Sequence, residues 1–298
     1  HTKGVGFTGS FAGGKALVDY ANQREVPIPV FAEMSSINPV VFLPDTLTSN
    51  TAALAKEYAA SITLGIGQFC TNPGLLLGIN SEAFTAFLSA LGEEIKKVVP
   101  QKMLHSGIHA SFEKGLTGML NQEDLQVVAK AETAAGELEA TPVVARVPAA
   151  AFLANPHFAE EVFGPFSLAV VCSDKSQLFE VLQSLKGQLT TTIMGTEKDV
   201  QEYGDVIDLQ MELAGRIILN NVPTGVEVCA SMVHGGPYPA TTDCRFTSVG
   251  ATAIKRWVRP LCFQNFTAAL LPEELRNENS LRIMRLVNNT YTRDAIQQ

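Results

Sequence analysis

Residues 50–66 carry apolar side chains at 54, 58, 62 and 66, a spacing that predicts a helix with one buried stripe. Residues 75–79 form a short apolar run. Glycines at 65, 67 and 74 and Pro73 forbid regular structure between the two. The stretch Gly67-Gln68-Phe69-Cys70-Thr71-Asn72-Pro73-Gly74 is therefore a tight loop clamped between rigid elements, and it holds a cysteine. On such a loop a nucleophile is fixed in place yet reachable. The competing reading is that Cys70 is a small buried hydrophobe, the commoner fate of a cysteine. The loop alone leaves both open.

Apolar runs and amphipathic stretches alternate along the chain. Strands are expected at residues 5–7, 28–33, 142–147, 166–172, 189–194 and 216–219. Helices are expected at 10–22 with Ser10 as N-cap, at 81–98, at 176–185 and at 197–214, with Gly187 and Gly215 suited to C-terminal caps. Residues 106–131 read as shorter helices broken by glycines. The alternation indicates an α/β fold with a largely parallel sheet. From Asn220 to Thr247 the composition shifts to Gly, Pro, Thr and Val with little periodicity, a long loop of the kind that is usually functional or disordered. Thr247-Ser248 would cap a helix to about residue 257, followed by an extended stretch and a polar tail.

Composition excludes several classes. A chain of 298 residues with 46% hydrophobic and 17% charged residues can bury a sizeable core. A formal net charge of −8 argues against nucleic acid and anionic membrane as partners. No apolar run is long enough to span a bilayer. The five cysteines are scattered without paired spacing, which suits a reducing compartment, the cytoplasm, and neither a disulfide framework nor zinc. His105 and His109 could share a helix face, but no third ligand is nearby, so no metal is expected.

Two further stretches flank the cysteine loop: Pro29-Val30-Phe31-Ala32-Glu33-Met34-Ser35-Ser36-Ile37-Asn38-Pro39 before it and Glu160-Glu161-Val162-Phe163-Gly164-Pro165-Phe166 after it. With Gly-Gln-x-Cys between them, in this order and at these separations, the chain resembles the aldehyde dehydrogenase superfamily. Phe7-Thr8-Gly9-Ser10 and Val233-His234-Gly235-Gly236 extend the likeness to residues 5–266. Glu-Met-Ser-Ser, Gln-Phe-Cys-Thr-Asn-Pro-Gly, Pro-Thr-Gly-Val-Glu-Val and His-Gly-Gly-Pro-Tyr-Pro-Ala-Thr look like its 2,5-dioxovalerate (α-ketoglutarate semialdehyde) dehydrogenase branch.

The resemblance implies the end of a Rossmann-like cofactor domain over 1–34, a catalytic domain over 35–243, and a return helix, oligomerisation strand and tail over 244–298. It implies Cys70 as nucleophile and Glu33 as the base of deacylation. Gly9 and Ser10 would lie beside the cofactor pyrophosphate, Glu161 on the ribose next to the nicotinamide, and Phe163 against the nicotinamide end. Glu33 is followed by Met34-Ser35-Ser36 where many relatives have Gly-Gly and a Lys; the narrower branch shares that change. The cofactor would be NADP or NAD, the branch implying NADP. The substrate would be a short aldehyde bearing a carboxylate, met by Phe69, Thr71, His234 or Arg245; many relatives have Phe where His234 stands. Arg259-Pro260-Leu261-Cys262-Phe263-Gln264-Asn265-Phe266 would build a homodimer or homotetramer.

The chain opens at His1 without Met. The resemblance implies a C-terminal part of a longer protein, with the oxyanion-hole Asn and the adenosine-gripping residues upstream, so that this chain alone would be inactive. Residues 65–70 follow a helix C-terminus, whose dipole opposes a thiolate, and the sequence identifies no activating group. Cys70 and Glu33 would serve a cofactor-free cysteine esterase equally well. A non-catalytic assembly fragment is the other alternative.

Overall fold

The apolar runs pair edge to edge, and those at residues 40–42, 75–79, 166–172 and 188–194 are buried on both faces. In the computed structural model, which describes residues 1–297, the chain begins with β1 (Val5–Thr8), α1 (Phe11–Asn22) and β2 (Val30–Glu33). β1 and β2 form a separate parallel pair in which Thr8 lies opposite Glu33. Then come β3 (Val40–Phe42), α2 (Pro44–Thr63), β4 (Leu75–Ile79), α3 (Glu82–Lys96), β5 (Gln101–Lys102), α4 (Ser106–Leu120), β6 (Gln126–Lys130), β7 (Glu139–Ala140) and β8 (Val143–Pro148). α5 (Ala149–Ala154), β9 (Phe166–Cys172), α6 (Lys175–Ser184), β10 (Gln188–Met194), α7 (Glu197–Glu202), α8 (Gly204–Leu213) and β11 (Ala214–Leu219) follow.

Seven strands form the main sheet in the order β11-β10-β3-β4-β9-β8-β6. Every pairing is parallel except β6 with β8. Side chains alternate across it. Val40, Phe42, Leu76, Val144 and Ala169 point toward α2 and α3, where they meet Tyr58, Ile62, Phe84, Phe87 and Leu91. Val41, Leu75, Leu77, Leu168 and Val170 point the other way, to Phe112 of α4, Phe152 of α5, Leu182 of α6 and Val206 of α8. Helices on both faces explain why the strands read as unbroken apolar runs.

The α/β class and the largely parallel sheet agree with expectation, and several elements do not. Residues 106–120 form one helix, not several; its buried stripe of Phe112, Leu116 and Met119 outweighs the helix cost of its glycines. Residues 126–130 are a strand. His105 caps that helix, its Nδ1 accepting from the backbone N–H of Gly107 and Ile108, so it shares no helix face with His109. Gly187 and Gly215 are not caps: α6 ends before Gly187, and α8 runs straight into β11, which contains Gly215. A Cβ on Gly187 would strike the carbonyl of Pro237, and one on Gly215 that of Gly235, so both serve close backbone approach. Residues 197–213 are two helices meeting at Tyr203. The expected helix to residue 257 is a tighter 3-10 stretch over Ala251–Trp257.

The chain divides into a unit of residues 1–256 and a second unit that begins at Trp257. In the second, residues 259–266 form no strand, Phe263 and Phe266 meet edge to face, and β12 (Arg285–Val287) pairs antiparallel with β13 (Thr290–Thr292). Among the described residues no helix is long and apolar enough to cross a membrane.

Candidate active site

Glu33 ends β2 and is 5% exposed. Its backbone is held on both sides, by β1 and by residues 240–242: Met34 N–H donates to the carbonyl of Ala240 (2.7 Å) and Thr242 N–H to that of Ala32 (3.0 Å). The carboxylate has two partners. Oε2 accepts from Ser248 Oγ (2.6 Å), and Oε1 lies 3.2 Å from His234 Nε2. His234 is 4% exposed and is fixed through its backbone, its N–H donating to Thr247 Oγ1 (2.9 Å) and its carbonyl accepting from Ser248 N–H (2.8 Å).

The cysteine loop leaves α2 at Thr63 through a 3-10 turn, Leu64–Gly67, with left-handed backbone at Gly65, Ile66 and Gly67. At Gly67 φ is +69° and a Cβ would strike the backbone of Gly164 and Pro165, so glycine is required twice over. This contact locks the cysteine loop to the segment carrying Glu161. Asn72 N–H donates to the carbonyl of Phe69 (3.0 Å), closing a turn with Cys70 at its tip. Asn38 holds that turn from below: its amide donates to the carbonyls of Cys70 (3.0 Å) and Asn72 (2.9 Å). Asn38 itself sits at φ 45°, and Gln188 Oε1 of β10 fixes it by accepting from its N–H (3.1 Å) and that of Ile37 (2.7 Å). The main sheet thus positions the thiol.

Cys70 Sγ comes to rest 3.2 Å from His234 Nε2, the same nitrogen that faces Glu33. The donor atoms of Glu33, Cys70 and His234 lie within 4.8 Å of one another, a gathering that the sequence spacing gave no sign of. Burial lowers the imidazole's pKa, but hydrogen bonds and charge from Cys70 and Glu33 outweigh it and raise His234 to about 9. Burial raises the Glu33 carboxyl, and the His234 hydrogen bond and charge, with Ser248 and Cys70, hold it below the ordinary range. Nδ1 of His234 has no partner among the described residues.

On the other side of the loop, Glu161 and Phe163 line a narrow cleft with Ser36, Gly67, Phe69 and Asn72. Ser36 N–H donates to Glu161 Oε1 (3.4 Å). Withdrawal of this carboxyl from water raises it to about 7 against the lowering by Ser35 and Ser36. Gly9 and Ser10 are exposed at the start of α1, where Ser10 Oγ accepts from Gly13 N–H (3.2 Å) and Gly9 N–H donates to the carbonyl of Glu33 (3.1 Å). The first turn of α1 carries no acidic residue, so the positive end of its dipole suits an anion.

Of the residues expected to meet substrate, His234 is at the thiol and Phe69 is on the Glu161 side. Thr71 is fully buried, and Arg245 is exposed and tied to Asp243 through Nε (2.8 Å) and Nη2 (2.6 Å). Ser248, Asn38 and Gln188 escaped the reading from sequence. For Asn38 a signal existed: Asn before Pro39, flanked by a strand, in a residue type that tolerates left-handed backbone.

The aldehyde dehydrogenase family model matches residues 1–237. The chain is 43% identical over 291 residues to alpha-ketoglutaric semialdehyde dehydrogenase of Acinetobacter baylyi, covering 97% of this chain and 55% of that protein. It is 45% identical over 282 residues to alpha-ketoglutaric semialdehyde dehydrogenase 2 of Azospirillum brasilense, covering 95% and 54%. It therefore spans about half the length of these curated relatives. Among solved structures, the fold matches a 1-pyrroline-5-carboxylate dehydrogenase from Thermus with bound NAD at a TM-score of 0.69, with 17% identity over 85% of this chain and 49% of that one. Proline utilization A from Bdellovibrio bacteriovorus matches at 0.73, with 17% identity over 88% and 27%. On the extent of the family match and the parallel sheet that carries Cys70, this chain belongs to the aldehyde dehydrogenase family.

Proposed function

We propose that this chain carries the catalytic half of an enzyme that oxidises α-ketoglutarate semialdehyde (2,5-dioxopentanoate) to 2-oxoglutarate with NADP or NAD, NADP preferred. The convergence of Cys70, His234 and Glu33 in a buried corner carries the reaction class, and the names of the two curated relatives carry the substrate. The βα turn at Gly9-Ser10 and the cleft of Glu161 and Phe163 fit a dinucleotide: the positive end of a helix dipole for the pyrophosphate, a carboxyl for a ribose hydroxyl, an aromatic face for the nicotinamide. When bound, that group supplies the hydride acceptor.

The residues of the chain do the rest. His234, protonated at neutral pH, stabilises the Cys70 thiolate, which attacks the aldehyde carbon to give a thiohemiacetal anion. Loss of hydride leaves a thioester on Cys70. Glu33, ionised at neutral pH, takes a proton from the water that cleaves the thioester and frees the acid. His234 offsets the opposing helix dipole, since an imidazolium within hydrogen-bond distance favours the thiolate.

The trio bears on the esterase alternative. In a hydrolase triad the acid holds the ring nitrogen remote from the nucleophile. Here Glu33 and Cys70 share Nε2 and Nδ1 is bare, so Glu33 does not stand behind the imidazole but beside the thiol. That is the place for a base acting on water at the acylated sulfur. Residues 259–266 are the proposed contact for a homodimer or homotetramer, and the cytoplasm the proposed compartment.

The test is formation of reduced nicotinamide by the complete protein from α-ketoglutarate semialdehyde, given NADP and NAD separately. Wild type turns over, and Cys70→Ala loses at least about a thousandfold. Cys70-dependent ester hydrolysis without reduced nicotinamide would defeat the reading.

A further inference from the structure

The scattered histidines and cysteines predict no metal, yet the fold gathers three donors from residues 33, 70 and 234. Cys70 Sγ and Glu33 Oε1 each lie 3.2 Å from a single atom, His234 Nε2, and the three donor atoms fall within 4.8 Å of one another. Nε2 carries at most one proton, so it cannot donate to both neighbours at once. A sulfur, a nitrogen and an oxygen around one point are the ligands of a small thiophilic cation. A tetrahedral zinc ion, with bonds of about 2.3 Å to sulfur, about 2.0 Å to nitrogen and about 2.1 Å to oxygen, holds its ligand atoms roughly 3.3–3.6 Å apart. The two 3.2 Å separations have to open only slightly to admit it.

Each ligand is held independently. Asn38 donates to the carbonyl of Cys70 (3.0 Å), the His234 N–H donates to Thr247 Oγ1 (2.9 Å), and Ser248 Oγ donates to Glu33 Oε2 (2.6 Å), which leaves Oε1 toward the ring. Ligands fixed in this way lose little freedom on binding, and Ser248 orients the carboxylate as an outer partner does. Cys70 is half-buried and not sealed. A cavity of about 20 Å³ adjoins Glu33 and His234, room for one water. Arg256, also on its wall, donates to the carbonyls of Ser248 and Ala253. Charge closes as well. A thiolate and a carboxylate neutralise a divalent ion, and the neutral imidazole adds a third bond once the ion takes the place of the Nε2 proton, which leaves to solvent. Magnesium and calcium prefer all-oxygen sets and are selected against.

We propose that Cys70 Sγ, His234 Nε2 and Glu33 Oε1 bind zinc(II), with water as the fourth ligand, and that the ion reversibly silences the site by holding nucleophile and base together. The silencing rests on the aldehyde-oxidising reading; the binding does not.

The experiment uses the complete protein, freed of metal by chelation, with cobalt(II) as a coloured stand-in and zinc(II) as the displacing ion. Wild type takes up about one equivalent of cobalt, with the intense visible bands of a four-coordinate ion and a thiolate charge-transfer band, and zinc bleaches both. His234→Phe and Glu33→Gln each weaken zinc binding at least about 100-fold, since loss of a direct ligand exceeds that of an outer partner, and Cys70→Ala abolishes the thiolate band. In wild type, where folding is not in question, zinc blocks alkylation of Cys70 and magnesium does not. Zinc bound as tightly by His234→Phe and Glu33→Gln as by wild type would mean capture by the thiol alone and would overturn the proposal. Absence of the cobalt bands, or alkylation undiminished by zinc, would overturn it too. Zinc stops formation of reduced nicotinamide and EDTA restores it; undiminished turnover of the zinc-bound protein would overturn the silencing. If metal-free wild type shows no turnover at all, the aldehyde-oxidising reading fails, and the cobalt bands still decide the site.

Discussion

His234 sets the chemistry at the scale of single residues. Without it the thiol has only a helix C-terminus behind it and Glu33 beside it, both of which oppose a thiolate. His234→Phe keeps a ring of similar size and removes the cation beside the thiol. It is expected to lower kcat for aldehyde oxidation by about 10²-fold and to slow alkylation of Cys70 at neutral pH. The same pair leaves a mark on stability. His234 is raised from 6.5 to about 9, so its share is complete below 6.5 and fades as pH rises through about 9. Glu33 is lowered from 4.5, so its share is present above 4.5 and is lost as pH falls through its folded value. The difference in melting temperature between wild type and His234→Phe should therefore hold a plateau between pH 4.5 and 6.5 and decline on either side. A difference independent of pH would show that the two groups are not paired.

At the scale of elements, the loops are held by side chains that are themselves anchored in the sheet. Asp199, on α7, does the like for helix starts away from the site. It is 3% exposed and accepts from the backbone N–H of Asp45, Thr46 and Thr196 (3.0 Å each), so one carboxylate caps both α2 and α7. Asp199→Ala strips both helix starts at once and should cost about 3 kcal/mol, read as a lower urea midpoint. Sequence periodicity located most elements because their stripes are strong: Leu54, Tyr58 and Ile62 for α2, Phe84, Phe87, Leu88 and Leu91 for α3. It misjudged Gly187 and Gly215 because a glycine that ends a helix and one that admits a neighbouring backbone look alike in one dimension. It could not show that Glu33, Cys70 and His234 share a corner, since His234 lies 164 residues beyond Cys70 and is brought back by the pairing of residues 240–242 with β2 and by close packing of Gly235 and Gly236 on β10 and β11. The likeness to a known family supplied Cys70, Glu33 and Glu161; the contact of His234 with the thiol came from the fold.

At the scale of the whole molecule, the first unit is one frame with two working edges. The parallel sheet fixes the cysteine loop through Asn38 and Gln188, and the β1–β2 pair carries the Gly9-Ser10 turn and Glu33. At Gly67 the backbone of the cysteine loop comes so close to that of Gly164 and Pro165 that no Cβ fits between the thiol side and the Glu161 cleft. The central claim is that Cys70 forms the covalent bond and Glu33 releases it. The most direct measurement is a rapid-mixing experiment on complete Glu33→Gln protein with α-ketoglutarate semialdehyde and NADP, followed by mass spectrometry of the peptide containing Cys70. The account predicts a burst of reduced nicotinamide of about one equivalent per site, steady turnover about 10²-fold or more below wild type, and an acyl group on Cys70. Undiminished steady turnover, or an acyl group found on any other residue, would contradict it.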